Sequence, residues 1–302
     1  KVRVVQVPEP VEVHCAKIRG RAPKPHRVLA RLLRNFVRVL IGPYPTVRMR
    51  HRPVLVLSTL AFHLVATGQA GSLDTTFSYD GTTTTPIGTY EIGYDWVIQP
   101  DGRIVGAGYS DAQIALVRYE ANGSLDASFS SDGIVTTAIW TDEDRAQAVG
   151  LQPDGKIVIA GYTSSTFIPY YHLVVVRYLP DGSLDPDFGD AGIVVQYDWQ
   201  HSEGTAIAVQ PDSKILVGGY SLSDGYLLLR YNTTGVLDTT FGSAGIVVLP
   251  LFTGTSGPSG LEILPDGRLL LAGSVDNVSN EDLCLIRLGP DGDLDPSFGV
   301  GG

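Results

Sequence analysis

The segment Leu173–Gly189 reads LVVVRYLPDGSLDPDFG and ends in a phrase that recurs along the chain. The phrase is a Leu-Asp pair with a Phe four positions after the Leu. Its five copies begin at Leu73, Leu125, Leu184, Leu237 and Leu294. Successive copies are 52, 59, 53 and 57 residues apart. Such a period is typical of stacked or radial repeat folds, in which one supersecondary unit cannot bury its own core alone.

Each full repeat carries two further anchors. The first is a Pro-Asp turn followed by a basic residue, which is Arg103, Lys156, Lys214 or Arg268. The second is an Arg that closes an apolar run seven residues before the next Leu, namely Arg118, Arg177, Arg230 or Arg287. In the turn, Pro presets φ, Asp caps its own backbone and Gly adopts positive φ. The first anchor therefore predicts a tight turn between two strands.

One repeat reads as four short strands, which we call a to d. In the third repeat they are predicted at 192–195, 206–210, 214–218 and 227–231, where Val, Ile and Tyr runs are bounded by Gly, Pro and Asp. The predicted fold is all-β, a β-propeller of four-stranded antiparallel blades with four full repeats. The repeats are 73–124, 125–183, 184–236, 237–293 and a partial copy at 294–302. We expect the chain to be a fragment of a longer repeat protein.

The order of the strands predicts two different faces. In an antiparallel meander, the a–b and c–d loops lie on one face, here called the loop face. The b–c and d–a turns lie on the other, so the Leu-Asp phrase is predicted to form a corner between blades. Only the loop face varies in length and residue type, and variable loops on a rigid scaffold usually carry binding. We therefore place the binding site on the loop face.

These motifs resemble the bacterial delta-60 repeat family. The resemblance rests on Leu-Asp-x-x-Phe-Gly, on Gln-Pro-Asp-Gly-Lys-Ile-Val-x-Ala-Gly and on Leu-x-x-x-Arg-Tyr-x-x-x-Gly-x-Leu-Asp. It covers residues 71–302 and is strongest at 151–161 and 174–188. The resemblance implies a propeller of tandem repeats in large secreted or surface proteins. It implies no catalytic residues.

Charge is divided unevenly along the chain. Residues 1–70 have a net charge of +11, whereas residues 71–302 hold 9 basic and 30 acidic side chains. Nucleic acid is therefore not an expected partner, because phosphate binding needs clustered Lys and Arg. Eight of the nine basic residues are repeat anchors, and Arg145 is the exception. We expect each strand-d Arg to be partly buried and paired with a repeat Asp, since buried charge needs a partner.

The first 70 residues predict export. Residues 49–70 combine a charged start, an apolar stretch and a small-x-small cleavage site, which is the pattern of a secretory signal peptide. A membrane anchor is the alternative, although the apolar stretch is short for a span. Residues 1–48 are interpreted as upstream read-through, or else as a disordered or helical leader. The mature protein is expected to be secreted or on the cell surface, without stable membrane insertion.

The predicted function is a non-enzymatic interaction module that binds a protein or a carbohydrate. Acidic and aromatic loop residues favour polar or glycan contacts. The candidate binding residues are Asp142, Glu143, Asp144, Tyr162, Phe167, Tyr170, Tyr171, His201 and Glu203. The other mature-region histidine, His172, is predicted to be a surface residue at a strand start.

Two further chemistries remain open. The first is a secreted hydrolase or lyase acting on polysaccharide, which would need histidines and carboxylates to converge at the ring centre. The second is calcium binding, with Asp181, Asp185 and Asp187 as weak candidate ligands in the d–a turn. Asp in turns more often binds its own backbone, so no cofactor is expected.

Overall fold

The computed structural model describes residues 71–199, 201–251, 257–276, 280–299 and 301–302. Within these ranges the regular secondary structure is entirely β-strand, as predicted. No helix of the described part is long and apolar enough to cross a membrane. The predicted signal peptide at 49–70 and the segment 1–48 lie outside the described residues.

The described strands form four antiparallel sheets, which we call blades 1 to 4. Blade 1 contains β1 (Glu91–Ile98), β2 (Ile104–Ser110), β3 (Gln113–Tyr119) and β4 (Ile134–Thr137). Blade 2 contains β5 (Glu143–Leu151), β6 (Ile157–Ser165), β7 (Ile168–Tyr178) and β8 (Ile193–Val195). Blade 3 contains β9 (Ser202–Val209), β10 (Ile215–Ser221), β11 (Gly225–Tyr231) and β12 (Ile246–Leu249). Blade 4 contains β13 (Pro258–Ile263), β14 (Leu269–Asp276) and β15 (Glu281–Leu288).

The strand pairing corrects the position of the Leu-Asp phrase. Strand a was predicted to open its own blade, with the phrase as a corner between blades. Instead β8, which follows the phrase at Leu184, pairs with β7 of the preceding repeat, Val174 opposite Val195. The phrase therefore links the third and fourth strands of one blade, and the a–b loop crosses to the next blade. A three-residue strand with a connection on either side has no local signal for its partner strand. The sequence therefore could not decide whether β8 pairs with the preceding repeat or with the following one.

Alternation along the second strand explains why its apolar run is continuous. In β6, Ile157 and Ile159 pack into the core shared with blade 1, while Val158 and Ala160 pack into the core shared with blade 3. All four side chains are fully buried. Successive side chains point to opposite faces of a strand, so a blade covered on both faces needs apolar residues at every position.

The repeat aspartate forms ion pairs with two basic side chains, and one of these pairs confirms the predicted Arg–Asp pair. Asp185 accepts from Arg177 Nε at 2.7 Å and lies 3.2 Å from Lys156 Nζ. The equivalent Arg–Asp distances are 2.6 Å for Arg118–Asp126, 2.9 Å for Arg230–Asp238 and 2.8 Å for Arg287–Asp295. Both anchors of the repeat thus meet at the Asp of the Leu-Asp phrase.

The same phrase holds neighbouring blades together. The Arg177 guanidinium lies 4.5 Å from the centre of the Phe188 ring and donates to Thr233 O of blade 3 at 2.6 Å. The fully buried Phe188 ring packs against Gly235 of that same turn, where a side chain would press on the ring. The Phe of one blade therefore requires a glycine in the next, which explains why both recur with the repeat.

Candidate functional site

Three tyrosines occupy one equivalent position near the end of the second strand. Tyr109, Tyr162 and Tyr220 each follow a glycine and precede Ser or Thr, and all three are buried. A Cβ atom at the preceding Gly161 would clash with the carbonyl oxygen of Arg145 on the adjacent first strand. The glycine is needed because the first strand bulges towards it.

These bulges direct side chains towards the next blade. The register of the first strand shifts around Tyr94 in blade 1 and around Gln147 in blade 2. A β-bulge inserts an extra residue and re-aims its side chain. Tyr94 Oη accepts from Arg145 Nη1 at 3.1 Å, and Gln147 Nε2 donates to Glu203 Oε2 at 2.5 Å. The first strands of three successive blades therefore contribute to one polar group of side chains.

Between blades 1 and 2, this group surrounds Arg145, the one basic residue of 71–302 that is not a repeat anchor. The Arg145 guanidinium lies 4.2 Å from the centre of the Tyr109 ring and 5.7 Å from that of Tyr162. It forms an ion pair with Glu143, whose other carboxylate oxygen accepts from Tyr162 Oη at 3.1 Å. Burial raises the pKa of Tyr162, so its hydroxyl remains a proton donor.

Between blades 2 and 3, the carboxylate of Glu203 takes the central position. Burial raises the pKa of Tyr220, and the adjacent carboxylate of Glu203, which is hydrogen-bonded to its hydroxyl, adds to the effect. The Tyr171 ring lies 4.6 Å from that of Tyr162 and 5.8 Å from that of His201. The two halves are therefore continuous, and we call them together the inner-strand cluster. Its members are Tyr94, Tyr109, Glu143, Arg145, Gln147, Tyr162, Tyr171, Glu203 and Tyr220.

The remaining predicted loop residues lie around this cluster or serve the fold. The Tyr170 ring meets that of His201 edge-on, with centres 4.9 Å apart. Phe167 is 88% exposed at the tip of the β6–β7 hairpin. Asp142 is exposed and accepts from Thr166 Oγ1 at 2.7 Å. These three aromatic residues and Asp142 form an outer rim, whereas Glu143, Tyr162, Tyr171 and Glu203 belong to the cluster.

Asp144 has a different environment from the other candidates. Its side chain is fully buried and accepts from Thr163 Oγ1 at 2.5 Å and from the Ile139 backbone N–H at 2.7 Å. Burial raises the pKa of this carboxyl group, which the hydrogen bonds partly oppose. The carboxyl group anchors the a–b loop from inside and does not face solvent.

Five members of the cluster were not predicted as site residues from the sequence. Four of them, Tyr94, Tyr109, Gln147 and Tyr220, were not singled out at all. The fifth, Arg145, was noted only as the basic residue outside the repeat anchors. The recurrence of Gly-Tyr-Ser/Thr in three repeats was a usable signal for two of the tyrosines. The bulge residues carried no such signal, because a register shift depends on the neighbouring strand.

His172 was predicted to lie on the surface, and that prediction was wrong. Its side chain is 4% exposed, and its Nδ1 atom lies 3.2 Å from Gln196 O. The rings of Trp140 and Tyr197 lie against it, each with a centre 5.5 Å away. The a–b loops of two successive blades therefore fold over a residue that the sequence places at a strand start.

The calcium candidates make turn and ion-pair contacts. Asp181 accepts from the backbone and hydroxyl of Ser183, and Asp185 accepts from the Asp187 backbone N–H at 3.0 Å. Asp185 is also neutralised by its two cations. In the described part of the chain, no group of three or more His, Cys, Asp or Glu side chains is arranged to hold a metal ion.

The repeats match a known family of β-propeller repeats. Four stretches, 99–129, 152–188, 210–241 and 264–298, match the family described as a β-propeller domain of unknown function (DUF5122). This is the same type of repeat as the delta-60 repeat. The chain is therefore an all-β protein with β-propeller repeats, and four stretches of it are similar to this family.

Two solved structures show weak similarity. An intramolecular trans-sialidase from Ruminococcus gnavus is 16% identical with a TM-score of 0.36, over 66% of this chain and 43% of that one. This chain thus spans less than half of that enzyme's length. A protein from Lactobacillus plantarum is 9% identical with a TM-score of 0.25, over 66% of this chain and 86% of that one. No curated protein matches the sequence. Similarities this weak do not bear on function.

Proposed function

We propose that this protein is an exported, non-enzymatic β-propeller that binds a glycan at the inner-strand cluster. The observation that carries the proposal is the set of contacts around Tyr162. Its hydroxyl donates to Glu143, and its ring lies beside the Tyr171 ring and the Arg145 guanidinium. Ring faces, hydroxyl donors and carboxylate acceptors are the groups that a sugar ring with several hydroxyls can use. Export is supported by the signal-peptide pattern at 49–70.

A glycan suits the cluster better than a flat protein surface does. Tyr109, Tyr162 and Tyr220 are at most 6% exposed, so they offer little area for a flat protein surface to cover. Tyr171 and Tyr94 are more exposed, at 37% and 43%, and can contact a ligand from solvent. A protein interface needs a large patch that can be fully covered, whereas a small polar ligand needs a few convergent groups.

Polysaccharide hydrolysis is the second candidate. The observation that favours it is the presence of two carboxylates, Glu143 and Glu203, in the same cluster. Glycosidases commonly act with such a pair. Two features weigh against it. Both carboxylate oxygens of Glu143 are already engaged, one by Arg145 and one by the Tyr162 hydroxyl, and the raised pKa of Tyr162 makes it a poor nucleophile.

The proposal is tested by calorimetric titration of a panel of soluble oligosaccharides against wild type and Tyr162→Phe. The phenol-to-phenyl change removes the hydroxyl that would accept a hydrogen bond from a bound sugar, so we expect affinity to fall by about 10-fold. Tyr178→Phe is the matched control. Tyr178 is fully buried and donates to Thr137 Oγ1 at 2.8 Å, outside the cluster.

The outcomes separate the candidates. Glycan binding weakened by Tyr162→Phe but not by Tyr178→Phe supports the proposal. No binding by any member of the panel, or equal losses in both variants, overturns it. Release of new reducing ends from a bound oligosaccharide replaces it with the hydrolase.

A further inference from the structure

The repeat offers an internal comparison between two junctions of adjacent blades. Arg145 is the residue opposite Tyr162 in the β5–β6 ladder, and Glu203 is the residue opposite Tyr220 in the β9–β10 ladder. The two residues therefore occupy equivalent positions in successive blades. Each is contacted by the bulge residue of the preceding blade, Tyr94 in the first case and Gln147 in the second.

The junction between blades 1 and 2 holds a cation that the chain supplies itself. The Arg145 guanidinium lies over the Tyr109 ring, 4.2 Å from its centre, and pairs with Glu143. A guanidinium or ammonium group over a tyrosine face, paired with a carboxylate, is an arrangement that binds organic cations well. This junction shows which kind of group the surrounding rings accept.

The junction between blades 2 and 3 has a similar ring and a carboxylate. Arg145 lies 5.7 Å from the centre of that ring, but it pairs with Glu143 and not with Glu203, the carboxylate of this junction. The ring equivalent to Tyr109 is Tyr162, and Tyr171 lies against it at 4.6 Å. Glu203 replaces the guanidinium with a half-buried carboxylate. Its hydrogen-bond partners are the neutral side chains of Gln147 and Tyr220. Among the described residues, no Lys, Arg or His nitrogen lies within ion-pair distance of Glu203.

We propose that Glu203 binds the ammonium group of an amino sugar, with that sugar's ring against Tyr171. This inference rests on the proposed glycan-binding function and specifies its ligand class. At the junction between blades 2 and 3 the ligand supplies the cation, whereas Arg145 supplies it at the junction between blades 1 and 2. The strongly acidic repeat region, with 30 acidic and 9 basic residues, adds a long-range attraction for such a ligand and repels acidic polysaccharides.

An amino sugar fits better than a basic peptide. Tyr171 is 37% exposed and meets the His201 ring edge-on, so it offers a single aromatic ring and not an extended patch. The bulge residue Gln147 offers a further carbonyl acceptor to a sugar hydroxyl. A basic peptide would in addition need an exposed strand edge or groove for its backbone.

The experiment compares three probes at about pH 6, where the amino groups of the probes carry a positive charge. The probes are a β-1,4-linked glucosamine tetramer, its fully N-acetylated counterpart and tetralysine. Each is titrated against wild type, Glu203→Gln and Glu262→Gln. Glu262 is exposed on β13 of blade 4, so its change removes one charge from the domain without touching the cluster.

We expect wild type to bind the glucosamine tetramer at least about 10-fold more tightly than the acetylated tetramer, and Glu203→Gln to abolish this preference. Glu262→Gln should retain it. A preference that survives in Glu203→Gln overturns the inference, as does Glu203-dependent binding of tetralysine without binding of the amino sugar. Equal binding of both tetramers overturns the inference but leaves glycan binding standing. Binding of neither tetramer overturns the inference, whereas glycan binding itself is overturned only if no member of the oligosaccharide panel binds.

Discussion

Replacing the repeat aspartate of blade 2 should destabilise the protein strongly. Asp185 is 1% exposed and pairs with Arg177, which is 3% exposed, and with Lys156, which is 26% exposed. Asp185→Asn keeps the shape and the acceptor for the Asp187 backbone but removes the charge. Lys156 can turn to solvent, whereas Arg177 stays buried and unneutralised. Breaking a buried pair in this way costs about 3–5 kcal/mol.

We expect the lower end of that range, about 3 kcal/mol, because Arg177 keeps its bond to Thr233 O. With a urea m-value of about 3 kcal/mol/M, the unfolding midpoint should fall by about 1 M. Far-UV circular dichroism and tryptophan fluorescence measure it. The matched control is Asp154→Asn, whose carboxylate is 52% exposed and 3.6 Å from Lys156 Nζ. The control should cost less than about 0.5 kcal/mol. If both variants shift the midpoint equally, the buried-pair argument is refuted.

Two further predictions concern acid stability and export. Burial alone would raise the pKa of Asp126, but hydrogen bonds from Ser128 and Arg118 outweigh it and lower the pKa from 3.8 to about 2. Because the pKa of Asp126 is lower in the folded state, its contribution to stability is complete above pH 3.8 and is lost as the pH falls towards 2. The urea midpoint should therefore drop across that pH range. An unchanged midpoint contradicts the prediction. Expression of residues 49–302 in a bacterial host should yield an exported protein whose N-terminal sequence begins at Gly71, and retention of 49–70 or failure to export would contradict the signal-peptide prediction.

The residues of the repeat anchors show where sequence reasoning succeeded. Arg177 and Asp185 are eight residues apart on either side of one tight turn, so their pairing follows from local geometry and from the cost of an unpaired buried charge. Among the candidate site residues, Tyr162 and Glu203 were predicted because the face of the loops follows from the strand order, and their role in binding stays a prediction. Asp144 was grouped with its exposed neighbours, since sequence alone does not distinguish a loop carboxylate that points inward.

The sequence by itself determined the repeat, the turns, the all-β class and the buried Arg–Asp pairs, because each depends on residues close together in the chain. Tertiary structure decided which blade receives the strand after each Leu-Asp phrase. It also decided that Arg145, Glu143 and Tyr109 meet, and that Glu203 takes the place of Arg145 one blade later. These contacts depend on bulges in the first strands and on the packing of one blade against the next. Spacing along the chain does not encode such distances.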